Sequence, residues 1–139
     1  DELVSLSGET DFIRTYVELM RLRLSGHVEV TTDFTIDDDG IKQVAPLLFI
    51  SLVENAFKHG VHPTLPSFIR ISLHSERTAI HFRVVNSNHP TTPADRSGSG
   101  IGLDLVKRRL SLAYGDRYVW TYGPSADGLT YSSVLTLYP

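Results

Sequence analysis

Apolar positions along the chain switch repeatedly between a helical period and a strand period. From Ser7, the residues Phe12, Ile13, Tyr16, Leu19, Met20 and Leu24 recur at helical spacing, with Ser7 as a candidate N-cap and Gly26 as a stop. "HVEVTTDFTI" (27–36) sets Val28, Val30, Thr32 and Phe34 against polar neighbours, the pattern of a half-buried strand, and "DDDG" (37–40) reads as a turn. A second helix is predicted from near Pro46, since proline is tolerated in a first turn, to about His59, with Gly60 closing it. "SFIRISLHS" (67–75) and "TAIHFRVVNS" (78–87) both alternate, predicting an antiparallel pair that turns near Glu76 and Arg77. Residues 88–100 hold almost nothing apolar and read as a loop. An amphipathic helix over 101–115 follows, then two strands, "RYVWTYG" and "LTYSSVLTLYP", around a turn at Pro124 to Gly128.

Paired strands interrupted by helices predict an α+β fold. The expected architecture is a two-layer α/β sandwich, with helices on one face of a mixed, mainly antiparallel sheet. Strict βαβ alternation is missing, so a doubly wound parallel sheet fits worse.

Composition narrows the function without naming it. At 139 residues the chain matches a single domain, and 41% hydrophobic with 21% charged residues is ordinary globular usage. A net charge of −3 argues against a nucleic-acid binder that works by bulk electrostatics. The absence of cysteine excludes disulfides and thiolate metal sites. "VAPLLFISLV" is too short to span a bilayer, and no signal peptide is visible. A start at "DELVSL", without Met, suggests a fragment of a longer protein.

Two stretches carry candidate chemistry. On a helical wheel Ser51, Glu54, Asn55, Lys58 and His59 fall within an arc of about 140°, and apolar residues fill the rest. Taken alone, this is compatible with a solvated outer face. Asn is nevertheless a poor choice for an exposed mid-helix position. Moreover, an amide oxygen suits Mg²⁺, a carboxylate can take a proton, and an ammonium meets phosphate. The second stretch places Gly98, Gly100 and Gly102 directly before a helix. That many glycines cost ordering entropy, and they fit a backbone that approaches an anion at a helix N-terminus; a hinge without ligand is the plain alternative. The spacing is neither the dinucleotide fingerprint nor a Walker A loop.

"ENAFKHG" (54–60) followed by "GSGIGLDLVKRRLSLAYG" (98–115) resembles the ATP-binding domain of sensor histidine kinases, within the superfamily that includes gyrase and MutL. The spelling is most similar to the LytS/YehU-type kinases, with Arg109, Leu110, Tyr114 and Gly115 in register. "ETDFIRTYVELMRLRL" also resembles the segment upstream of that family's ATPase domain, which implies a division into 1–26, the tail of a dimerisation region, and 27–139, the catalytic domain. The resemblance implies the Bergerat ATP-binding fold holding Mg-ATP. Asn55 would coordinate Mg²⁺, and Glu54 would be the acid/base residue beside the γ-phosphate. Lys58 and His59 would contact phosphates or ribose. Gly98, Ser99, Gly100, Ile101, Gly102 and Leu103 would wrap the phosphates, with 88–100 as lid.

This chain departs from the family pattern at three positions. Asn86 stands for the usual adenine-binding Asp, Asn88 for the Gly two residues later, and Asp104 where many members have Asn. Asn86 can still accept a hydrogen bond from the adenine amino group, without the charge of a carboxylate. None of the six histidines lies in a phosphoacceptor box. The fragment is therefore expected to bind ATP but to need a separate phosphoacceptor helix. The resemblance also implies a response regulator as partner, no nucleic acid, and a cytoplasmic domain of a membrane-anchored bacterial homodimer. The competing reading is a degenerate nucleotide-sensing or protein-interaction module; an ATP-driven clamp fits the spelling less well.

Overall fold

The computed structural model describes residues 2–89 and 99–139, the side chains of Ser99 and Ile101 excepted. The element order is β1 (Val4–Ser5), α1 (Leu6–Arg23), β2 (Val28–Ile36), β3 (Gln43–Val44), α2 (Leu48–Gly60), β4 (Ser67–Ser75), β5 (Ile80–Ser87), α3 (Ser99–Tyr114), β6 (Tyr118–Pro124) and β7 (Thr130–Leu137). The α+β sandwich expected from the alternation is present. A five-stranded sheet runs in the order β2-β4-β5-β7-β6, parallel between β2 and β4 and antiparallel elsewhere.

Strand periodicity sorts the sheet into two faces. Ile69, Ile71 and Leu73 of β4, Ile80, Phe82 and Val84 of β5, and Leu135 and Leu137 of β7 are all at most 2% exposed. Against them lie Phe49, Leu52, Val53 and Ala56 of α2, with Phe49 stacked on Phe82 at 4.7 Å between ring centroids. Burying each such side chain contributes roughly 1.5–3 kcal/mol. Alternate residues, including Arg70, Ser72, Arg83 and Thr31, point to the open face.

Several element limits differ from the sequence reading, among them α3, which begins at Ser99 rather than Ile101. The first helix begins two residues earlier, because Ser5 rather than Ser7 caps it: the Ser5 hydroxyl accepts from the Gly8 N–H at 3.1 Å. The short β1–β3 pair, Val4 opposite Val44, was not expected. α2 begins at Leu48, two residues after Pro46, because Leu47 turns the chain at φ 66° into the left-handed region. A non-glycine residue there costs roughly 1–2 kcal/mol. Its N–H donates to Glu9 Oε1 of α1 at 2.7 Å, which offsets part of that strain. α1 packs into the same core through Leu6, Ile13 and Val17.

Candidate functional site

The polar arc of α2 survives folding as an arc. Glu54 and Lys58 are exposed and Ser51, Asn55 and His59 half-buried, while Leu52, Val53, Ala56 and Phe57 are buried. Glu54 stands near Tyr16 of α1, whose ring meets Phe57 edge-on at 5.5 Å. Burial, and then the Glu54 carboxylate, push the Tyr16 hydroxyl pKa up.

Asn86 lies beneath the end of this helix. It is 3% exposed on the helix-facing side of β5. A Cβ added at Gly60 would come within 2.6 Å of the Asn86 Cβ and 2.8 Å of its Nδ2. Gly60 is thus required by close approach, at a helix end that would otherwise accept alanine. The Asn86 Nδ2–H donates to the Ser87 carbonyl at 2.8 Å, which assigns the amide's orientation and presents Oδ1 as its acceptor. Ser87, which the sequence reading passed over, locks the junction. Its hydroxyl donates to the Gly60 carbonyl at 2.7 Å and accepts from the Phe68 N–H at 3.0 Å. The available signal was a small hydroxyl residue beside Asn86 where the outer face is otherwise histidine, arginine or valine.

Asn88 is directed elsewhere. Its Nδ2–H donates to the Gly128 carbonyl at 2.9 Å and its backbone N–H to Leu129, so it ties the end of β5 to the β6–β7 turn. Beside it, His89 packs 4.9 Å from His62 with the rings tilted by 60°, and burial, then His62, lowers its pKa. His62 Nδ1 accepts the N–H groups of Thr64 and Leu65, fixing the connector after α2.

α3 supplies the opposite wall. Tyr114, near its C-terminus, is 3% exposed and accepts the Ala45 N–H at 2.9 Å, just before α2 begins. Burial raises its pKa above the ordinary tyrosine value. Arg109 then reaches Ser51 at 3.4 Å. Moving back along α3 while moving forward along α2 means the helices run antiparallel. From this contact, Lys58 and Gly102 each lie seven residues, about 10 Å, along their own helix axes. Leu103, Val106 and Leu110 anchor α3 in the core. Gly102 is exposed, and among the described residues a Cβ there would meet nothing within 4 Å. Ser99, Gly100 and Ile101 form the first turn, whose backbone N–H groups have no partners within the helix. Gly98 and most of the expected lid lie outside the described residues. Tyr114 and Gly115 prove to be framework: Gly115 takes φ +64° and ends the helix.

Among the described residues, no group of three or more His, Asp or Glu could hold a metal ion. A cation here would depend on one amide oxygen, with phosphates and water completing its shell, which is the habit of Mg²⁺. Asn55 fits that part.

The described residues thus form a sandwich in which a polar helix, a buried amide under its end and a glycine-opened helix come together. In sequence, the chain is 30% identical over 123 residues to the sensor histidine kinase YesM of Bacillus subtilis (strain 168), covering 84% of this chain and 21% of that protein. It is 27% identical over 131 residues to the sensor histidine kinase BtsS of Escherichia coli (strain K12), covering 93% and 23%. The chain therefore spans about a fifth of the length of these relatives. The catalytic domain of histidine kinase ThkA superposes with a TM-score of 0.70 at 15% identity, covering 99% of this chain and 98% of that one. AdeS of Acinetobacter baumannii does so at 0.60 and 13%, covering 99% and 66%. No family model matches the chain. The chain is homologous to the sensor histidine kinases and has the fold of their catalytic domain.

Proposed function

We propose that the chain is the ATP-binding catalytic domain of a two-component sensor histidine kinase of the LytS/YehU type, presenting Mg-ATP to a histidine on a separate helix. The observation that carries this is the junction of Gly60 and Asn86. It joins the "ENAFKHG" helix to the adenine-position residue by a contact that no side chain at residue 60 would allow. Asn86 Oδ1 accepts from the adenine amino group, so amide replaces carboxylate without losing the hydrogen bond. Asn55 holds Mg²⁺, which supplies charge neutralisation at the phosphates. Lys58 and His59 contact phosphate or ribose, and the N–H groups from Gly98 to Leu103 bind the phosphate oxygens at the positive end of α3. Glu54, exposed at the α1 side of α2, takes the acid/base role toward the incoming imidazole. Positioning and electrostatics do most of the work of phosphoryl transfer.

The partner classes are a phosphoacceptor helix and a response regulator; ThkA has been solved in complex with the response regulator TrrA. No helix among the described residues is long and apolar enough to cross a membrane. Anchoring and homodimerisation belong to the whole protein as this reading has it, and 1–26 to the tail of its dimerisation region.

Calorimetry tests the assignment. Wild type should bind ATP with an affinity that depends on Mg²⁺, and Asn55→Ala should lose most of that dependence while melting as wild type does. Wild type that binds no nucleotide with Mg²⁺ present would refute the reading. Phosphate transfer in trans to a kinase helix bearing its histidine separates a catalytic domain from a sensing module.

A further inference from the structure

The two edges of the sheet are treated differently. At the β2 edge, Glu29 and Asp33 place charge on the strand, and Arg21 of α1 donates to the Val30 carbonyl at 2.6 Å. Both devices discourage pairing with another strand. At the β6 edge, "YVWTYGP" (118–124) carries no charged residue.

The backbone groups that β6 turns outward can be assigned. Tyr138 donates to the Arg117 carbonyl and Ser125 to that of Thr130, marking two hydrogen-bonded pairs with β7 and its flanks. Antiparallel pairs alternate, so Val119, Thr121 and Gly123 bond to β7, opposite Thr136, Val134 and Ser132. The N–H and C=O of Tyr118, Trp120 and Tyr122 therefore point away from the sheet. Pro124, which has no N–H, ends the row.

The segment that exposes these groups reads nearly the same in both directions about Trp120: tyrosine at 118 and 122, and the similarly shaped Val and Thr at 119 and 121. We infer that β6 is a self-pairing edge, on which two copies of this chain join antiparallel across a two-fold axis at Trp120. Trp120 then faces its own counterpart, and Tyr118 of each copy faces Tyr122 of the other. All three are residues with free backbone groups, so every outward donor and acceptor from 118 to 122 finds a mate. On the helix side the aromatic row is continuous, because Trp120 and Tyr122 already pack at 4.5 Å within one copy. On the open side Val119, 56% exposed, lies across from Thr121 of the second copy. A C2 contact of this kind closes on itself and does not propagate. It also leaves α2 clear, since α2 packs on β4 and β5.

A charge-swap experiment tests the contact. In sedimentation velocity over a concentration series, wild type should move from 15.5 kDa toward twice that mass. Val119→Lys/Thr121→Lys sets lysine against lysine at both open-face positions and should weaken dimerisation by about a hundredfold. Val119→Glu/Thr121→Glu should do the same, and an equal mixture of the two variants should recover the dimer. Emission from Trp120, the sole tryptophan, should shift with concentration in wild type and not in either variant. Circular-dichroism melts verify that the variants are folded. Wild type that stays at one chain mass throughout, or a lysine variant that dimerises like wild type, overturns the proposal. So does a mixture that remains monomeric.

Discussion

Gly60 ends α2 and Gly102 lies near the start of α3, and a methyl group placed at each would meet opposite surroundings among the described residues. At Gly60 it would strike the Asn86 side chain at 2.6 Å; at Gly102 it would meet none of the described residues within 4 Å. The first glycine is explained by the protein's own packing. The second has no such explanation within the described residues: in a helix it costs about 1 kcal/mol relative to alanine, and it returns nothing in contacts. Under the function proposed above, one wall of the site is completed by folding, and the other waits on a phosphate.

Exchange experiments should separate the two walls, and Gly60→Ala should have the largest effect. Overpacking against a buried amide should cost about 1–3 kcal/mol in urea denaturation. Adding Asn86→Gly should recover part of the loss, as contact pairs are not additive. A fully additive double variant would mean the clash is not the cause.

Tyr114→Phe comes next. It leaves the Ala45 N–H buried without its acceptor, at a cost of about 1–2 kcal/mol in the same assay. An unchanged unfolding midpoint would mean that this bond does not tie α3 to α2.

Gly102→Ala should reverse the sign. Stability should rise by about 0.5–1 kcal/mol from helix propensity, while ATP affinity falls roughly tenfold as the methyl meets the phosphates. If affinity is retained, the open wall is not a phosphate site.

The smallest effect is on pH. His89 has a folded pKa below its unfolded value, chiefly through burial and then through His62. The unfolded chain therefore binds protons more readily, and the associated stability is present above the unfolded pKa of about 6.5 and lost as pH falls through the folded value. Melting temperature should drop between neutral and mildly acid pH, and less so in His89→Gln. Equal slopes would remove His89 as the source.

Sequence patterns reached this architecture unevenly, for physical reasons. Alternation marked β2, β4 and β5 well because each buries one face and wets the other. It could not say that β7 inserts between β5 and β6, because neighbours in a sheet are chosen by backbone pairing that leaves no periodic trace. Two residues are too few to alternate, which hid β1 and β3. The left-handed turn at Leu47 was illegible, since leucine does not advertise positive φ and its support comes from Glu9, 38 positions away. Of the candidate site, the polar arc of α2 was readable from spacing and Asn86 from the motif. The fit of Asn86 beneath Gly60, and the Ser87 lock, required the tertiary approach of a helix end to a strand.

The Tyr114–Ala45 bond has a mechanical consequence. It lies at the end of the helix pair remote from Gly60 and Gly102, as the pivot lies in a pair of tweezers. About that pivot α3 extends some 24 Å, so a change of about 10° in crossing angle would move its first turn by about 4 Å. Leu103, Val106 and Leu110 hold α3 against the core along its length, so the bond pins one end of a lever that the core already restrains.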